Sequence, residues 1–156
     1  MSVILGIDPG LSGALAFLDI ELGTCLVVDM PVLEVKKGAG TAKQIDLSAL
    51  AARIDEANIK HAYLERVSAS PQMGVTSAFN FGLGYGAIRG ILAASFVPTT
   101  LITPAEWKRA LKCPTEKDGA RARASELLPR FANLWPLKKH DGRAEAAMLA
   151  YYGATK

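Results

Sequence analysis

The 156-residue sequence predicts an α/β fold in which strands come first and helices then alternate with strands. Three short apolar runs separated by glycine-containing turns open the chain, a pattern typical of an antiparallel meander. Later apolar runs alternate with segments of helical periodicity, which favours parallel strands joined through helices. Half of the residues are hydrophobic and 21% are charged, so we expect one compact domain.

The three opening strands are expected at residues 3–8, 14–20 and 25–30. The first ends in Asp8-Pro9-Gly10, where proline cannot donate to a sheet and glycine permits a sharp exit. Asp8 therefore lies at the end of a rigid strand. An Asp-Pro-Gly sequence is equally typical of a simple turn, so Asp8 alone does not indicate a site.

The polar, glycine-rich residues 34–44 are expected to form a mobile loop. They lack the GxxxxGK[ST] pattern, so no nucleotide cofactor is expected. A helix with Asp46 as its cap should follow at about residues 46–57. A fourth strand at residues 61–67 is reached through this helix, so it can run parallel to the first and bring Glu65 to the same edge as Asp8. A lone Glu at a strand end is otherwise more typical of a solvent-facing charge.

The second half is predicted to be mainly helical. A long helix at residues 75–95 carries Gly82, Gly86 and Gly90 at every fourth position, a flat stripe for close packing within the domain or across a dimer. The remaining elements are a strand at 97–102, a helix opening at Thr103-Pro104, a helix at about 116–131 and a last helix at 141–152. Thr103 suits an N-cap, with Pro104 at the first helical position.

The net charge of +3 is small, but basic residues concentrate between Lys108 and Arg143. Such a run is typical either of a solvated helix face or of a surface that binds a phosphodiester backbone. The two cysteines, Cys25 and Cys113, lack metal-ligand spacing and should be reduced. Without a signal sequence or an apolar run of about 18 residues, we expect no membrane segment and a protein that is cytoplasmic or associated with the nucleoid or phage DNA.

Asp141 and Glu145 lie four residues apart, so they share one face of the last helix. Either could be an ordinary charge, and Asp141 also suits the positive end of the helix dipole. Together with Asp8 and Glu65, however, they offer enough carboxylate oxygens for two Mg²⁺ ions, which would complete their coordination with water and phosphate oxygens.

Five segments carry an ordered pattern, namely residues 6–10, 63–65, 79–90, 103–108 and 140–146. In this order they resemble the RuvC-like Holliday junction resolvases of the ribonuclease H-like superfamily, most closely the short phage or prophage forms. The resemblance covers nearly the whole chain. It implies a single RuvC-like nuclease domain over residues 1–156, a five-stranded mixed sheet flanked by helices, a homodimer, and paired Mg²⁺-dependent nicks in a four-way DNA junction.

The resemblance implies that Asp8 bridges two metal ions, that Glu65 binds one, and that Asp141 and Glu145 supply the acidic helix. Mg²⁺ is the expected ion, with Mn²⁺ as a substitute. Lysines near the scissile phosphate match Lys108 and Lys117, and Lys117 is assigned a catalytic role, although either lysine is equally consistent with an ordinary surface position. The candidate DNA contacts are Lys108, Lys112, Lys117, Arg121, Arg143, Ser68 and Met73.

The sequence departs from the family pattern at two places. Many members place the last two acids three residues apart, but here Gly142 occupies that position, so Asp141 and His140 compete for one role. We favour Asp141 because Mg²⁺ prefers oxygen ligands. Members also often carry an aromatic wedge where Ser68 stands, and Met73 is our candidate for its role.

Three other functions fit parts of the pattern. One is a related nuclease that cuts branched DNA or RNA–DNA hybrids with loose junction preference. Another is a junction-binding protein without catalysis, against which the four carboxylates argue. The third is an actin-like or sugar-kinase ATPase, which shares the Asp-containing first turn but needs two such domains, for which 156 residues leave no room.

Overall fold

The computed structural model of the protein describes residues 2–116 and 118–156. The strands are β1 (Val3–Asp8), β2 (Ala14–Asp19), β3 (Thr24–Asp29), β4 (Val32–Lys37), β5 (Gly40–Ile45), β6 (Ile59–Glu65) and β7 (Thr99–Ile102). The helices are α1 (Leu47–Glu56), α2 (Val75–Ala94), α3 (Pro104–Ala110), α4 (Gly119–Leu127) and α5 (Asp141–Ala154). Two short 3-10 helices, Pro129–Leu134 and Lys138–His140, lie between α4 and α5.

The main sheet has five strands in the order β3-β2-β1-β6-β7. The first three strands pair antiparallel, whereas β6 runs parallel to both β1 and β7. The predicted α/β class and mixed sheet are therefore confirmed. Ile7 of β1 lies opposite Leu64 of β6, so Asp8 and Glu65 follow at the same edge of the sheet.

Helices cover both faces of this sheet. Leu5 and Ile7 of β1 pack into one core with Ile54 of α1 and Ile88 of α2. Side chains alternate along a strand, so Ile4 points to the opposite core, which α5 dominates. By the same alternation Asp8, four residues after Ile4, is on the α5 face of the sheet. Glu65 is on this face as well, because Tyr63, two residues before it, belongs to the α5 core.

Gly6 allows α5 to approach β1 unusually closely. A Cβ atom at this position would lie only 2.1 Å from the carbonyl oxygen of Ala146 and 2.5 Å from the backbone nitrogen of Ala150. The small residues Ala146 and Ala150 are themselves fully buried. Backbone contact between β1 and α5 thus brings the helix face that carries Glu145 against the edge that carries Asp8.

The predicted mobile loop at residues 34–44 is wrong, because this segment forms the β4–β5 hairpin, a separate two-stranded sheet. Half-buried Val35 and Ala42 pair across the hairpin, while the lysines of the same strands point outward. Gly38, with φ of +60°, makes the turn. Lysines interrupt the hydrophobic alternation of these two strands, so the sequence alone resembles that of a loop.

The predicted N-caps are confirmed, since Asp46 accepts from the backbone N–H of Ala49 and Thr103 from that of Glu106. The predicted helix at 116–131 is too long, because α4 ends at Leu127 and Pro129 disfavours helical backbone at Leu128. Across the part of the chain that the structure describes, no helix has the length and apolar character needed to cross a bilayer.

The glycine stripe of α2 packs against nothing within residues 2–116 and 118–156. A Cβ atom at Gly82, Gly86 or Gly90 would meet no atom within 4 Å. Close packing inside the domain is therefore the wrong interpretation of this stripe. The alternative interpretation, packing across a dimer, stays a prediction.

Candidate metal site

Three carboxylates converge where β1, β6 and α5 meet. One oxygen atom from each of Asp8, Glu65 and Glu145 lies within 4.8 Å of the other two. Asp8 and Glu65 end neighbouring parallel strands, and Glu145 comes from the second turn of α5. We call these three residues the carboxylate cluster.

The turn after Asp8 packs tightly against the start of α5. A Cβ atom at Gly13 would lie 1.9 Å from the carbonyl oxygen of Asp8. At Gly142 a Cβ atom would lie 2.6 Å from the carbonyl oxygen of Ser12 and 3.2 Å from Oδ2 of Asp8. This crowding gives a physical reason for the departure from the family pattern, because an acidic side chain at position 142 would collide with the turn.

The cluster concentrates negative charge away from water. Burial raises the pKa of Asp8 to about 8, and repulsion from Glu145 and Glu65 adds to the shift. Burial and then Glu145 raise the pKa of Glu65 to about 7. Burial likewise raises the pKa of Glu145. The three groups cannot all ionise easily unless a cation joins them.

Lys108 of α3 supplies a positive charge beside the cluster. Its Nζ lies 4.0 Å from Oε1 of Glu145, and its charge opposes the upward pKa shifts of all three carboxyls. Its side chain is about one-third exposed, so its charge is also accessible from solvent. Lys112 is exposed, and Lys117 lies outside the described residues.

Asp141 lines the same cleft but points its carboxylate elsewhere. The cleft has a volume of about 530 Å³ and contains Asp8, Asp141 and Glu145 in its wall. Oδ1 of Asp141 lies 3.4 Å from Nε of Arg121, whose guanidinium also bonds to Asp118. His140, the competing candidate, accepts a hydrogen bond at Nδ1 from the backbone N–H of Leu137. Neither is in the carboxylate cluster.

No protein-family model matches the sequence, and no curated protein sequence matches it. Solved structures, in contrast, do match the chain. The structure of T. thermophilus RuvC in complex with Holliday junction substrate matches with a TM-score of 0.62 and 17% identity, over 99% of this chain and 96% of that one. The chain has the RuvC fold. A second Thermus thermophilus RuvC structure gives a TM-score of 0.54 and 20% identity, over 98% of this chain and 96% of that one.

The match confirms the predicted ribonuclease H-like architecture. The assignment to the phage or prophage type stays a prediction. Within this RuvC fold, the carboxylate cluster lies where two parallel strands end, beside an open cleft.

The donor set of the cluster fits a hard divalent cation. Mg²⁺ and Mn²⁺ prefer carboxylate oxygens, and the cluster offers three carboxylates with one nearby lysine among the described residues. Their raised pKa values reflect burial first and then mutual repulsion, and a divalent cation would offset the cost of both to the ionised carboxylates. The acidic groups at this edge of the RuvC fold are therefore compatible with metal binding.

Besides Lys108, two of the predicted DNA contacts are already engaged in ion pairs. Arg143 forms a two-pronged bond with Asp29, with Nε to Oδ1 at 2.7 Å and Nη2 to Oδ2 at 2.9 Å. This pair ties α5 to β3. Arg121 is held by Asp118 and Asp141. Of the others, Ser68 is exposed and Met73 half-buried, both in the segment before α2.

Sequence reasoning missed two aromatic residues at this site. Phe81 of α2 contributes to the cleft wall together with Asp8. Trp107 of α3 is fully buried, and its indole N–H lies against the carboxylate of Glu65. Both belong to segments that carried the family resemblance, but a buried aromatic residue in a helix is otherwise indistinguishable from core.

Proposed function

We propose that this chain is a Mg²⁺-dependent, structure-selective DNA endonuclease that resolves four-way junctions by paired symmetric nicks. The observation that carries the proposal is the convergence of Asp8, Glu65 and Glu145 beside an open cleft in a RuvC fold. The solved complex of T. thermophilus RuvC with a Holliday junction substrate supports a branched DNA as the substrate class. The proposed nuclease domain spans residues 1–156.

In this proposal Asp8, Glu65 and Glu145 would hold two metal ions, with Asp8 as a ligand of both. Two bound ions would activate a water molecule and stabilise the leaving 3′ oxygen. Lys108 lies near enough to Glu145 to offset charge on a phosphate held in the cleft. Lys117 is proposed as a second cation. Asp141 stays our candidate for the fourth ligand, and it would have to leave Arg121 to join the cluster.

The DNA would approach the carboxylate cluster from the side of α3, where Lys108 lies 4.0 Å from Glu145. Exposed Lys112 and Ser68, together with Lys108 and Met73, are proposed to contact it. Arg121 and Arg143 would have to exchange a carboxylate partner for a phosphate in order to contribute. A DNA substrate would place the protein in the cytoplasm, at the nucleoid or at phage DNA.

Paired nicks require two active sites, and α2 offers a surface for a second copy of the chain. Val75, Phe79 and Leu83 of this helix are 88%, 68% and 62% exposed, respectively. They lie beside the open glycine stripe, where another backbone could pack closely. We propose that two chains associate through α2, since a two-fold dimer matches the symmetry of a four-way junction.

Synthetic four-way junctions, forks and linear duplexes test the proposal, each incubated with the protein in Mg²⁺ and in EDTA. We expect metal-dependent, symmetric nicks in the junction and little cutting of the other substrates. Equal cutting of forks and junctions would instead indicate a branched-DNA nuclease with loose preference. Tight junction binding without any cutting in Mg²⁺ or Mn²⁺ would indicate a non-catalytic junction-binding protein and would overturn the proposal.

The two acids of α5 should differ in importance. Glu145→Gln removes a carboxylate from the cluster, so we expect the junction cleavage rate to fall by about a hundredfold or more. Asp141→Asn removes a carboxylate that is paired with Arg121, so we expect a loss below about tenfold. Single-turnover cleavage at saturating Mg²⁺ measures both. The reverse order of losses would show that Asp141 is the principal helix ligand.

A further inference from the structure

We propose that Trp107 is a positioning residue whose indole N–H orients the Glu65 carboxylate for metal binding. The inference rests on the proposed function, because it concerns a ligand of the proposed metal site. Trp107 does not touch the substrate or the reacting atoms in this proposal. It acts through Glu65.

The first observation is an indole N–H without a proper acceptor. Trp107 is fully buried, yet no acceptor among residues 2–116 and 118–156 meets hydrogen-bond geometry to its Nε1. The other tryptophan, Trp135, is equally buried but donates to Oγ of Ser125 at 2.9 Å. Buried indole N–H groups normally find such a partner. The indole N–H of Trp107 is therefore a buried hydrogen-bond donor without an acceptor among the described residues.

The second observation is where this donor lies. The indole N–H of Trp107 faces the carboxyl of Glu65 but does not form a well-aligned hydrogen bond with it. No side chain in the described part of the chain forms a hydrogen bond with this carboxylate. The Glu65 backbone is already fixed, because its carbonyl oxygen accepts from the Tyr85 hydroxyl at 3.0 Å.

The surrounding packing makes Trp107 a rigid support. Thr103 caps α3, which places Trp107 in the core dominated by α5. The ammonium of Lys108 lies 5.5 Å from the centre of the indole ring and 4.0 Å from Glu145. One short helix thus contacts two members of the carboxylate cluster, Glu65 through Trp107 and Glu145 through Lys108.

The chemical consequence concerns metal affinity. A carboxylate that binds a metal through one oxygen is usually held by a hydrogen bond to its other oxygen, and loss of such a bond typically costs 10-fold to 100-fold in metal affinity. An indole can only donate, so it favours the ionised carboxylate that a metal needs. When the cluster binds Mg²⁺, the loose contact from Trp107 should become a well-formed hydrogen bond.

Trp107→Phe tests this role, with Trp135→Phe as the matched control. Each variant keeps an aromatic ring and removes one buried indole donor. We expect Trp107→Phe to raise the Mg²⁺ concentration for half-maximal junction cleavage about tenfold or more, with a much smaller change in rate at saturating Mg²⁺. Trp135→Phe should leave the Mg²⁺ requirement unchanged. Equal Mg²⁺ requirements for the two variants would overturn the inference.

A second readout needs neither DNA nor a stable Trp107 variant. The chain has two tryptophans, so ¹⁵N labelling gives two indole N–H signals, and Trp135→Phe leaves only that of Trp107. Mg²⁺ should shift the Trp107 signal downfield and leave the Trp135 signal in the wild-type protein in place. Calorimetric Mg²⁺ binding without movement of the Trp107 signal would refute the positioning role.

The two readouts separate this inference from the proposed function. If Mg²⁺ binds and moves the Trp107 signal but no junction is cut, the proposed function fails and the positioning role stands. If junctions are cut while the signal stays unmoved, the positioning role fails alone. Absence of Mg²⁺ binding would overturn both.

Discussion

Asp8→Asn should reduce Mg²⁺-dependent junction cleavage by about a thousandfold or more. The substitution keeps the size of the side chain but removes the charge that the proposal places between two metal ions. Metal ions contribute several kcal/mol to such reactions, and each 1.36 kcal/mol of barrier corresponds to tenfold in rate. The measurement is single-turnover cleavage of a labelled four-way junction.

Asp46→Asn is the matched control for this loss. Asp46 caps α1 by accepting from the backbone N–H of Ala49, and asparagine caps helices about as well as aspartate. We therefore expect Asp46→Asn to cleave junctions at the wild-type rate. Retention of more than about a tenth of the activity by Asp8→Asn would contradict a bridging role for Asp8.

The metal-free protein should lose stability as the pH rises from about 4 to about 8. The folded-state pKa values of Asp8, about 8, and Glu65, about 7, lie above the ordinary values of 3.8 and 4.5. Over this range the folded protein retains protons that the unfolded chain releases, so the free energy of unfolding falls with rising pH. Above about pH 8, where the folded protein also has these carboxyls ionised, the loss of folding stability is complete.

Asp8→Asn should remove much of this penalty. One unit of pKa shift corresponds to about 1.4 kcal/mol, so above pH 8 we expect the variant to be a few kcal/mol more stable than the wild type in EDTA. Near pH 4 the two proteins should be about equally stable. Urea unfolding across this pH range measures the difference. A difference that does not vary with pH would contradict the raised pKa values of the cluster.

Mg²⁺ provides the control for this experiment. A ligand that binds only the folded state stabilises it, so Mg²⁺ at pH 8 should stabilise the wild type more than Asp8→Asn. The variant would thus be the more stable protein in EDTA and would gain less from the metal. A buried acid that destabilises the metal-free protein, and that is proposed to bind metal, would be a typical exchange of stability for function.

Much of the fold follows from local sequence signals. The glycine-marked meander, the helix caps at Asp46 and Thr103, and the parallel pairing of β6 with β1 were all predictable. The parallel pairing alone places Asp8 and Glu65 at one edge. The β4–β5 hairpin was not predictable in the same way, because Lys36 and Lys37 interrupt its apolar alternation and its few half-buried residues resemble those of a polar loop.

On the last helix, the sequence predicts the site only through the local spacing of its acidic residues. A spacing of four residues puts Asp141 and Glu145 on one face of the helix. It cannot show that Arg121, twenty positions before Asp141, pairs with the Asp141 carboxylate and holds it outside the carboxylate cluster. Nor can it show that backbone crowding at Gly142 excludes an acid there. These are long-range contacts, which depend on the packing of α4 and of the turn after β1 against α5.

The most direct test of the account is the anomalous scattering of manganese in crystals of the protein soaked in MnCl₂. We predict an anomalous peak at a coordination distance of about 2.0 to 2.3 Å from oxygens of Asp8, Glu65 and Glu145. A fully ordered crystal with no peak at these three carboxylates, or with manganese bound only at other residues, would contradict the assignment of this cluster as the metal site.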